Sequence, residues 1–362
     1  MHKSDVPMSD GRTTVFMAPD YSKSNPYQTA LIEAVETHDV DVVPIDVEGV
    51  APIMAAWRRH GRPDVVHVHW LHKFIVPAGG SILLCLALSI RLILSLFILR
   101  MRGVAIVWTV HNVLDHERTA PRLEALTRHV AARLADRIIV HCDRAESIIV
   151  DAYKLPSVVR ERVIVIPHGN YDGHYGSVEP ERTPSELVFL YFGMIRPYKN
   201  VPTLIDTFRE LDRSDVRLQV VGNPWNEELA ADIRAAAGND DRVHLELSFV
   251  PDEEVAGYFE RADAVVLPFD RVLTSGSAIL AMTFGRPVIA PAHGCLPELI
   301  GEYGGILYDG DGDAPLGRAL REAIADPEAL VRMGERNRRV AAQLDWQTVG
   351  RRTVAAYRTA GV

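Results

Sequence analysis

Residues 191–200 read Tyr-Phe-Gly-Met-Ile-Arg-Pro-Tyr-Lys-Asn and lie between an apolar run (Leu187–Phe192) and a helix-like stretch (Val201–Leu211). A glycine at such a turn lets the backbone bend with no Cβ in the way, and a helix starting soon afterwards offers N–H groups to an anion. Arg196 supplies a planar fork of donors and Lys199 a mobile point charge, so Gly193, Arg196 and Lys199 together suit a phosphate. Of 39 basic residues only Lys3, Lys23, Lys73, Lys154 and Lys199 are lysines, so a chain that otherwise uses arginine places a lysine here.

A second group of candidates lies earlier. His111 follows the apolar run Val104–Val110. An imidazole at the carboxyl end of a strand can take a proton from a hydroxyl or steady developing charge. Asp115, His116 and Glu117 come soon after, and Asp115 or Glu117 could act as a carboxylate base. His67 and His69 alternate on one strand and so share a face; with His72 they invite a zinc reading. No cysteine or spaced carboxylate completes that ligand set, so hydrogen-bonded histidines are expected instead, with His69 a candidate contact for an acceptor. The tract Asp309-Gly-Asp-Gly-Asp starts like a calcium loop, but its sixth position is Ala314 and its twelfth Leu320, and it reads as a turn. No metal is expected. Asn25 and Gln28, around Pro26, either hydrogen-bond a sugar or simply start a helix.

These residues need elements to hold them. The first half alternates strands (Thr13–Ala18, Val40–Val47, Val65–Val68, Val104–Val110, Arg137–His141, Val163–Ile166) with helices (Gln28–Glu36, Val50–Arg59, Ile82–Leu99, Arg122–Ala135, Ala145–Tyr153). After a Gly-, Pro- and Ser-rich stretch the alternation restarts. Its strands are Leu187–Phe192, Val216–Val221, Val243–Leu247, Ala264–Leu267, Pro287–Ala290 and Gly305–Tyr308; its helices are 201–211, Glu227–Ala237, Asp252–Arg261 and Gly276–Phe284. Continuous β-branched runs separated by helices predict α/β architecture, with parallel sheets covered on both faces. The expected organisation is a first doubly wound domain over 1–170, a linker over 171–186 and a second doubly wound domain over 187–344. An amphipathic helix over 345–362 is expected to cross back to the first domain. The two domains are expected to face one another across a cleft, with ligands beyond the carboxyl ends of the strands.

A net charge of −9 excludes a general nucleic-acid binder, so the anion site is local. Cys85, Cys142 and Cys295 form no CxxC pair and no disulfide framework, and Met1–Val15 has no signal-peptide core; both point to a reducing cytoplasm. Ile82–Leu99 approaches the length of a membrane span. Arg91 would sit mid-span, and the strands on either side would be thrown to opposite faces of the membrane. A core helix, or one dipping into a membrane surface with its arginines at the headgroups, is expected instead.

In order along the chain, the pieces resemble the GT-B glycosyltransferases, most closely the family-4 (group 1) nucleotide-sugar enzymes. The matching pieces are Tyr-Phe-Gly-Met-Ile-Arg-Pro-Tyr-Lys-Asn, Val-Val-Gly-Asn at 220–223, Phe-Val-Pro-Asp-Glu-Glu at 249–254 and Ala-Asp-Ala-Val-Val-Leu-Pro at 262–268. They continue with Phe-Gly-Arg-Pro-Val-Ile-Ala from Phe284 and Gly-Cys-Leu-Pro-Glu-Leu-Ile from Gly294. The first half adds Val-Val-His-Val-His-Trp from Val65, Trp-Thr-Val-His-Asn from Trp108 and Val-Ile-Pro-His-Gly-Asn from Val165. The resemblance implies two Rossmann-like domains and a donor diphosphate held by Gly193, Arg196 and Lys199. It also implies a hexose transferred without metal or other cofactor. Members of the family typically carry two glutamates eight positions apart, yet here those positions hold Val272 and Leu280. Nearby, Thr-Ser-Gly-Ser at 274–277 places hydroxyls and N–H groups at a helix start, so Ser275, Gly276 and Ser277 become donor-binding candidates, with a plain helix cap as the other reading. Asp270 and Glu298 could contact a donor sugar. The missing pair leaves the stereochemical outcome open, since retaining members usually carry it.

The expected activity is transfer of a hexosyl group from GDP-mannose or a UDP-sugar to a glycan acceptor, lipid-linked and met at the inner face of the cell membrane through residues 82–99. Such a protein takes part in polysaccharide or glycoconjugate synthesis. A non-catalytic nucleotide-sugar binder and a nucleotide-sugar epimerase of the same shape are the alternatives.

Overall fold

The computed structural model describes residues 11–76, 80–114, 120–176, 186–309 and 314–361. Its contacts separate into two compact units, Met1–His141, Glu146–Pro167 and Trp346–Val362 in unit 1, and Cys142–Ala145 with His168–Asp345 in unit 2.

Unit 1 is built on β1 (Thr13–Ala18), α1 (Pro26–Glu36), β2 (Val40–Pro44), α2 (Pro52–His60), β3 (Val65–Val68), α3 (His72–Ile75), α4 (Ile82–Met101) and β4 (Ala105–Thr109). It continues with α5 (Pro121–Leu134), β5 (Arg137–Val140), α6 (Asp143–Tyr153), α7 (Ser157–Arg160) and β6 (Val163–Val165). Every strand pair is parallel, in the order β2-β1-β3-β4-β5-β6. β3 and β4 are buried along their whole length, which is why they carry apolar runs rather than alternation. Asn25 caps α1, its side chain accepting from the Tyr27 N–H, and Pro26 occupies the first turn where its missing N–H costs nothing.

Unit 2 contains β7 (Leu187–Phe192), a 3-10 turn (Pro197–Lys199), α8 (Val201–Arg209), β8 (Val216–Val221), α9 (Glu227–Ala237), β9 (Val243–Glu246), α10 (Asp252–Arg261) and β10 (Ala264–Val266). Then come α11 (Gly276–Thr283), β11 (Val288–Pro291), α12 (Leu296–Ile300), β12 (Gly305–Tyr308), α13 (Pro315–Ala325) and α14 (Pro327–Ala342). The last helix, α15 (Trp346–Thr359), belongs to unit 1 and packs on α1 and β4. The second sheet is also parallel, in the order β12-β11-β10-β7-β8-β9. Both units are therefore doubly wound α/β domains of Rossmann type. The short helices α3, α7 and α12, and the longer α13 and α14, are additions to what the sequence pattern predicts. Most of the linker (177–185), the aspartate-rich turn (310–313), and both Asp115 and Glu117 lie outside the described residues.

α4 connects β3 to β4, which are hydrogen-bonded neighbours with Val65 opposite Ala105. The helix is long and apolar enough to cross a membrane by length and composition. A crossing would separate two paired strands of one sheet, so α4 is instead a surface crossover helix. Cys85, Ser89, Leu92, Ser95, Leu96 and Leu99 face inward. Ile82, Leu83, Leu86, Ile90, Leu94, Phe97 and Met101 stand exposed. The expectation that its arginines reach outward is corrected for two of them. Arg91 donates to the Gly49 and Phe74 carbonyls, and Arg100 donates to Leu134 O and pairs with Asp136.

Candidate functional site

In unit 2, β7 leads to β8 on one side of the sheet and its neighbour β10 leads to β11 on the other, so the strand order reverses between them. Ligands in such sheets bind outside the carboxyl ends of the strands at this switch point. Gly193 follows β7 with φ +120°, a conformation that favours glycine. A Cβ placed on it would lie 3.5 Å from Ser277 Oγ and 3.8 Å from Lys199 Nζ, so the turn, the start of α11 and Lys199 surround one small space. Gly222, at the end of β8, approaches even more closely: a Cβ there would stand 2.1 Å from the Gly193 carbonyl oxygen. Ile195 N donates to Asn223 O and Trp225 N to Ile195 O, both at 2.9 Å, extending the pairing of β7 and β8 past their ends.

Two cations belong to this turn. The Arg196 guanidinium lies over the Trp225 indole, 3.5 Å from the ring centroid, and its Nε donates to Met194 Sδ. Lys199 ends the 3-10 turn, with its ammonium 5.6 Å from the centroid of the Phe269 ring. Among the described residues Lys199 has no ion pair. Desolvation, and then the charge of Arg196, lower its pKa to about 8. A desolvated ammonium beside a second cation is a site that an anion would relieve.

The hydroxyl candidates separate on inspection. Ser275 is the N-cap of α11, its Oγ accepting from the Ala278 N–H at 3.1 Å. Gly276 opens the helix beneath the Tyr171 hydroxyl, which a Cβ would meet at 2.7 Å. Ser277 is the one whose hydroxyl faces the glycine turn. The first N–H groups of α11 lack intrahelical acceptors, as at any helix start. Val272 is partly buried and Leu280 buried, so the family's two carboxylate positions are apolar in place as well as in sequence.

Asp270 is exposed just past β10, and its N–H donates to Tyr198 O at 2.9 Å. Burial, and then the Asp270 charge, raise the pKa of Tyr308. Glu298 is engaged elsewhere. Its two carboxylate oxygens accept from the N–H groups of Asp143 and Arg144, at 3.1 Å each, anchoring the start of α6. Cys295, three residues before it, is disulfide-bonded to Cys142, 153 positions away. This corrects the expectation of a chain without disulfides; Cys85 remains a buried free thiol.

In unit 1, β3, β4 and β5 end side by side, and each is followed at its carboxyl end by a histidine: His69, His111 and His141. His69 Nδ1 lies 3.0 Å from His111 Nε2, and the His111 ring stacks on Trp70 at 4.3 Å. Tyr27 meets His69, His111 and His141 edge-on. His67 sits deeper, hydrogen-bonded to Tyr357 of α15 at 2.8 Å and to Thr109 at 2.7 Å. Burial lowers His67 to about 3 and His141 to about 4; burial, and then the neighbouring imidazoles, hold His69 well below the ordinary histidine value. No group of metal-holding side chains occurs among the described residues. Beneath this cluster Arg128, buried and paired with Glu124, donates to Asn112 O, while Tyr153 donates to Val113 O at 2.6 Å. These bonds hold the chain directly after His111.

The acceptor candidates fare differently. Asn25 is the cap of α1. Gln28 is fully buried, its amide accepting from Tyr21 N and donating to Pro19 O, so it shapes the loop after β1 from behind. His69 is fully buried, and only its Nε2 lacks a partner among the described residues. The sequence pattern missed Trp225, Phe269, Trp70 and Tyr27. His141 was legible, because it follows its strand just as His111 does.

Residues 178–340 match the family described as Glycosyl transferases group 1. A GDP-mannose:glycolipid 4-beta-D-mannosyltransferase of Xanthomonas campestris pv. campestris is 29% identical over 303 residues, covering 82% of this chain and 78% of the relative. Among solved structures, the sucrose-phosphate synthase of Thermosynechococcus elongatus superposes with a TM-score of 0.77 at 16% identity, covering 96% of this chain and 98% of that one. The Anabaena HepE protein in complex with UDP gives 0.69, also at 16% identity, covering 95% and 99%. These two structures share the fold.

Proposed function

We infer that this chain, a GT-B glycosyltransferase of the group 1 type, moves a hexosyl group from a nucleotide-diphosphate sugar to a lipid-linked glycan. The observation that carries the donor half is Lys199: a desolvated ammonium without an ion pair among the described residues, grouped with Gly193 and Ser277 at the switch point of unit 2. Arg196 and Lys199 bind the diphosphate and stabilise the charge it gains as the sugar departs, and the N–H groups leading α11 add to that field. The similar Xanthomonas enzyme is named for GDP-mannose, which makes GDP-mannose the first donor to test.

With apolar residues at 272 and 280, no carboxylate at those positions can assist a retaining pathway. The relative's name specifies a β bond, and a β bond formed from an α-linked diphosphate donor is an inversion. An inverting displacement needs a base for the acceptor hydroxyl, which falls to Asp115 or Glu117. His111, whose Nε2 is engaged by His69, serves as a hydrogen-bond donor from its other nitrogen. The exposed apolar side of α4 supports the lipid-linked acceptor: it lies in unit 1, and its chemistry suits the boundary of a membrane rather than water. On this reading the protein works peripherally at the cytoplasmic face of a membrane, in glycoconjugate synthesis.

The test is to incubate the protein with GDP-mannose, and separately with UDP-glucose, in the presence and absence of a lipid-linked oligosaccharide. Release of nucleoside diphosphate that depends on the acceptor, together with an extended glycan lost in Lys199→Ala, is the expected result. Interconversion of the donor without acceptor would replace the proposal with epimerase chemistry. Binding with no turnover of any sugar nucleotide would replace it with a binding protein.

A further inference from the structure

α14 turns Leu330, Gly334, Asn337 and Ala341 inward, and the helix packs on α11, α13 and β12. Its outer side carries Glu328, Arg332, Glu335 and Arg339, all exposed. At about 3.6 residues per turn, this spacing keeps the four within about 60° of one another around the axis, over a length of about 16 Å. Their signs alternate along the stripe. Within the helix the alternation is little used. Arg332, its side chain 63% exposed, reaches Asp326 at 3.4 Å and Glu328 only at 4.0 Å. Glu335 and Arg339 form no ion pair among the described residues; Arg339 Nε donates to the Glu335 carbonyl instead.

The order Glu-Arg-Glu-Arg reads Arg-Glu-Arg-Glu in reverse. A second α14 laid antiparallel, centred between Met333 and Gly334, therefore sets Glu328 opposite Arg339 and Arg332 opposite Glu335. A two-fold axis repeats both pairs. Parallel pairing would oppose like charges, so the pattern selects one orientation. Apolar surface flanks the stripe. Val331 is exposed on one side, and on the other Met333, Val340 and the exposed Tyr303 line a cavity together with Arg332 and Arg339.

We propose that α14 is a self-association surface, pairing antiparallel with α14 of a second copy of this chain through Arg332–Glu335 and Glu328–Arg339 contacts. One helix face makes a small interface, so the dimer is a weak one that forms at high protein concentration. The proposal is independent of the donor-site reading.

Sedimentation velocity on the full chain over about 1–200 µM tests it. The unsubstituted protein should move from monomer to dimer across this range. Arg332→Glu and Glu335→Arg each place two like-charged pairs across the axis, and each should weaken the dimer about tenfold or more. An equimolar mixture of the two variants sets glutamates against arginines at both pairs and should dimerise again. That recovery also shows both variants to be folded.

An unsubstituted chain that stays monomeric throughout overturns the proposal. So do dimers that neither single variant weakens, as association through the apolar side of α4 would give, being indifferent to these charges. Variants that are monomeric both alone and mixed overturn it as well, because the contact would then not be Arg332 with Glu335.

Discussion

His69 Nδ1 and His111 Nε2 share one proton across 3.0 Å, at the ends of neighbouring strands β3 and β4. The other nitrogen of His69 is buried and without a partner among the described residues. An unmet N–H is the costlier orphan, so the shared proton belongs on His69 Nδ1, with His111 protonated on Nδ1. Burial favours the neutral form of His67 and His141, which have folded-state values of about 3 and about 4, against 6.5 for a free imidazole. Between these values and 6.5 the unfolded chain binds more protons than the folded one, so stability falls as pH drops through this window and is fully present above it. Urea midpoints measured from pH 7.5 down to pH 4 should decline. His141→Phe should flatten the curve; an unchanged slope would mean that His141 is not held neutral.

Lys199 reverses the direction for ligand affinity. Its pKa of about 8 lies below the ordinary 10.5, so it loses its proton within an accessible range. GDP affinity should fall as pH rises through 8, and Lys199→Arg should remove the inflection. Lys199→Ala should weaken GDP about 10- to 150-fold, the range of a hydrogen bond to a charged group. The same group makes folding more favourable as pH rises from about 8 to 10.5, because there the unfolded chain carries the extra proton.

The exposed side of α4 should bind a lipid surface. Leu86→Gln combined with Phe97→Gln removes two of its exposed apolar side chains. Co-sedimentation with anionic phospholipid vesicles should drop by about tenfold or more, given about 1.5–3 kcal/mol for each such side chain fully buried. Transfer to a water-soluble acceptor analogue should persist. Undiminished sedimentation would show that α4 is not the contact.

Arg128 and Glu124 form a buried pair beneath the chain that follows His111. Arg128→Leu removes the cation paired with the buried Glu124 and should cost about 3–5 kcal/mol of unfolding free energy. Adding Glu124→Leu should recover much of that loss. A double variant no better than the single one would show that the Asn112 carbonyl, rather than the charge, is what Arg128 serves.

The Cys142–Cys295 bond predicts a thiol count. Unfolded protein should show one thiol to an aromatic disulfide reagent, that of Cys85, and three after reduction. Reduction should lower stability by about 2–4 kcal/mol in the chain-entropy account. Three thiols without reductant would show that the bond is absent.

Much of this was readable before folding. The β–turn–cation order around Gly193, Arg196 and Lys199 is local: those residues lie within one βα turn, so their spacing alone places them at the end of a strand. Parallel β-branched runs separated by helices likewise announce the two doubly wound sheets, because burial on both faces demands them. The histidine after each of three neighbouring strands follows the same logic.

What the sequence left open depends on residues distant in the chain. Ser277 reaches the Gly193 turn, and Phe269 the Lys199 ammonium, from the far side of the switch point. Glu298 has the right chemistry for a sugar contact, yet its oxygens are satisfied by backbone N–H groups more than 150 positions away. Periodicity reports which face of an element is buried, but not which partner fills it. The sequence by itself determined the architecture and the cationic turn, since both follow from short-range sterics and apolar pattern. Only the tertiary structure decided which hydroxyl, ring and imidazole meet those cations and histidines, because such pairings arise from register between strands and helices that the chain order does not encode.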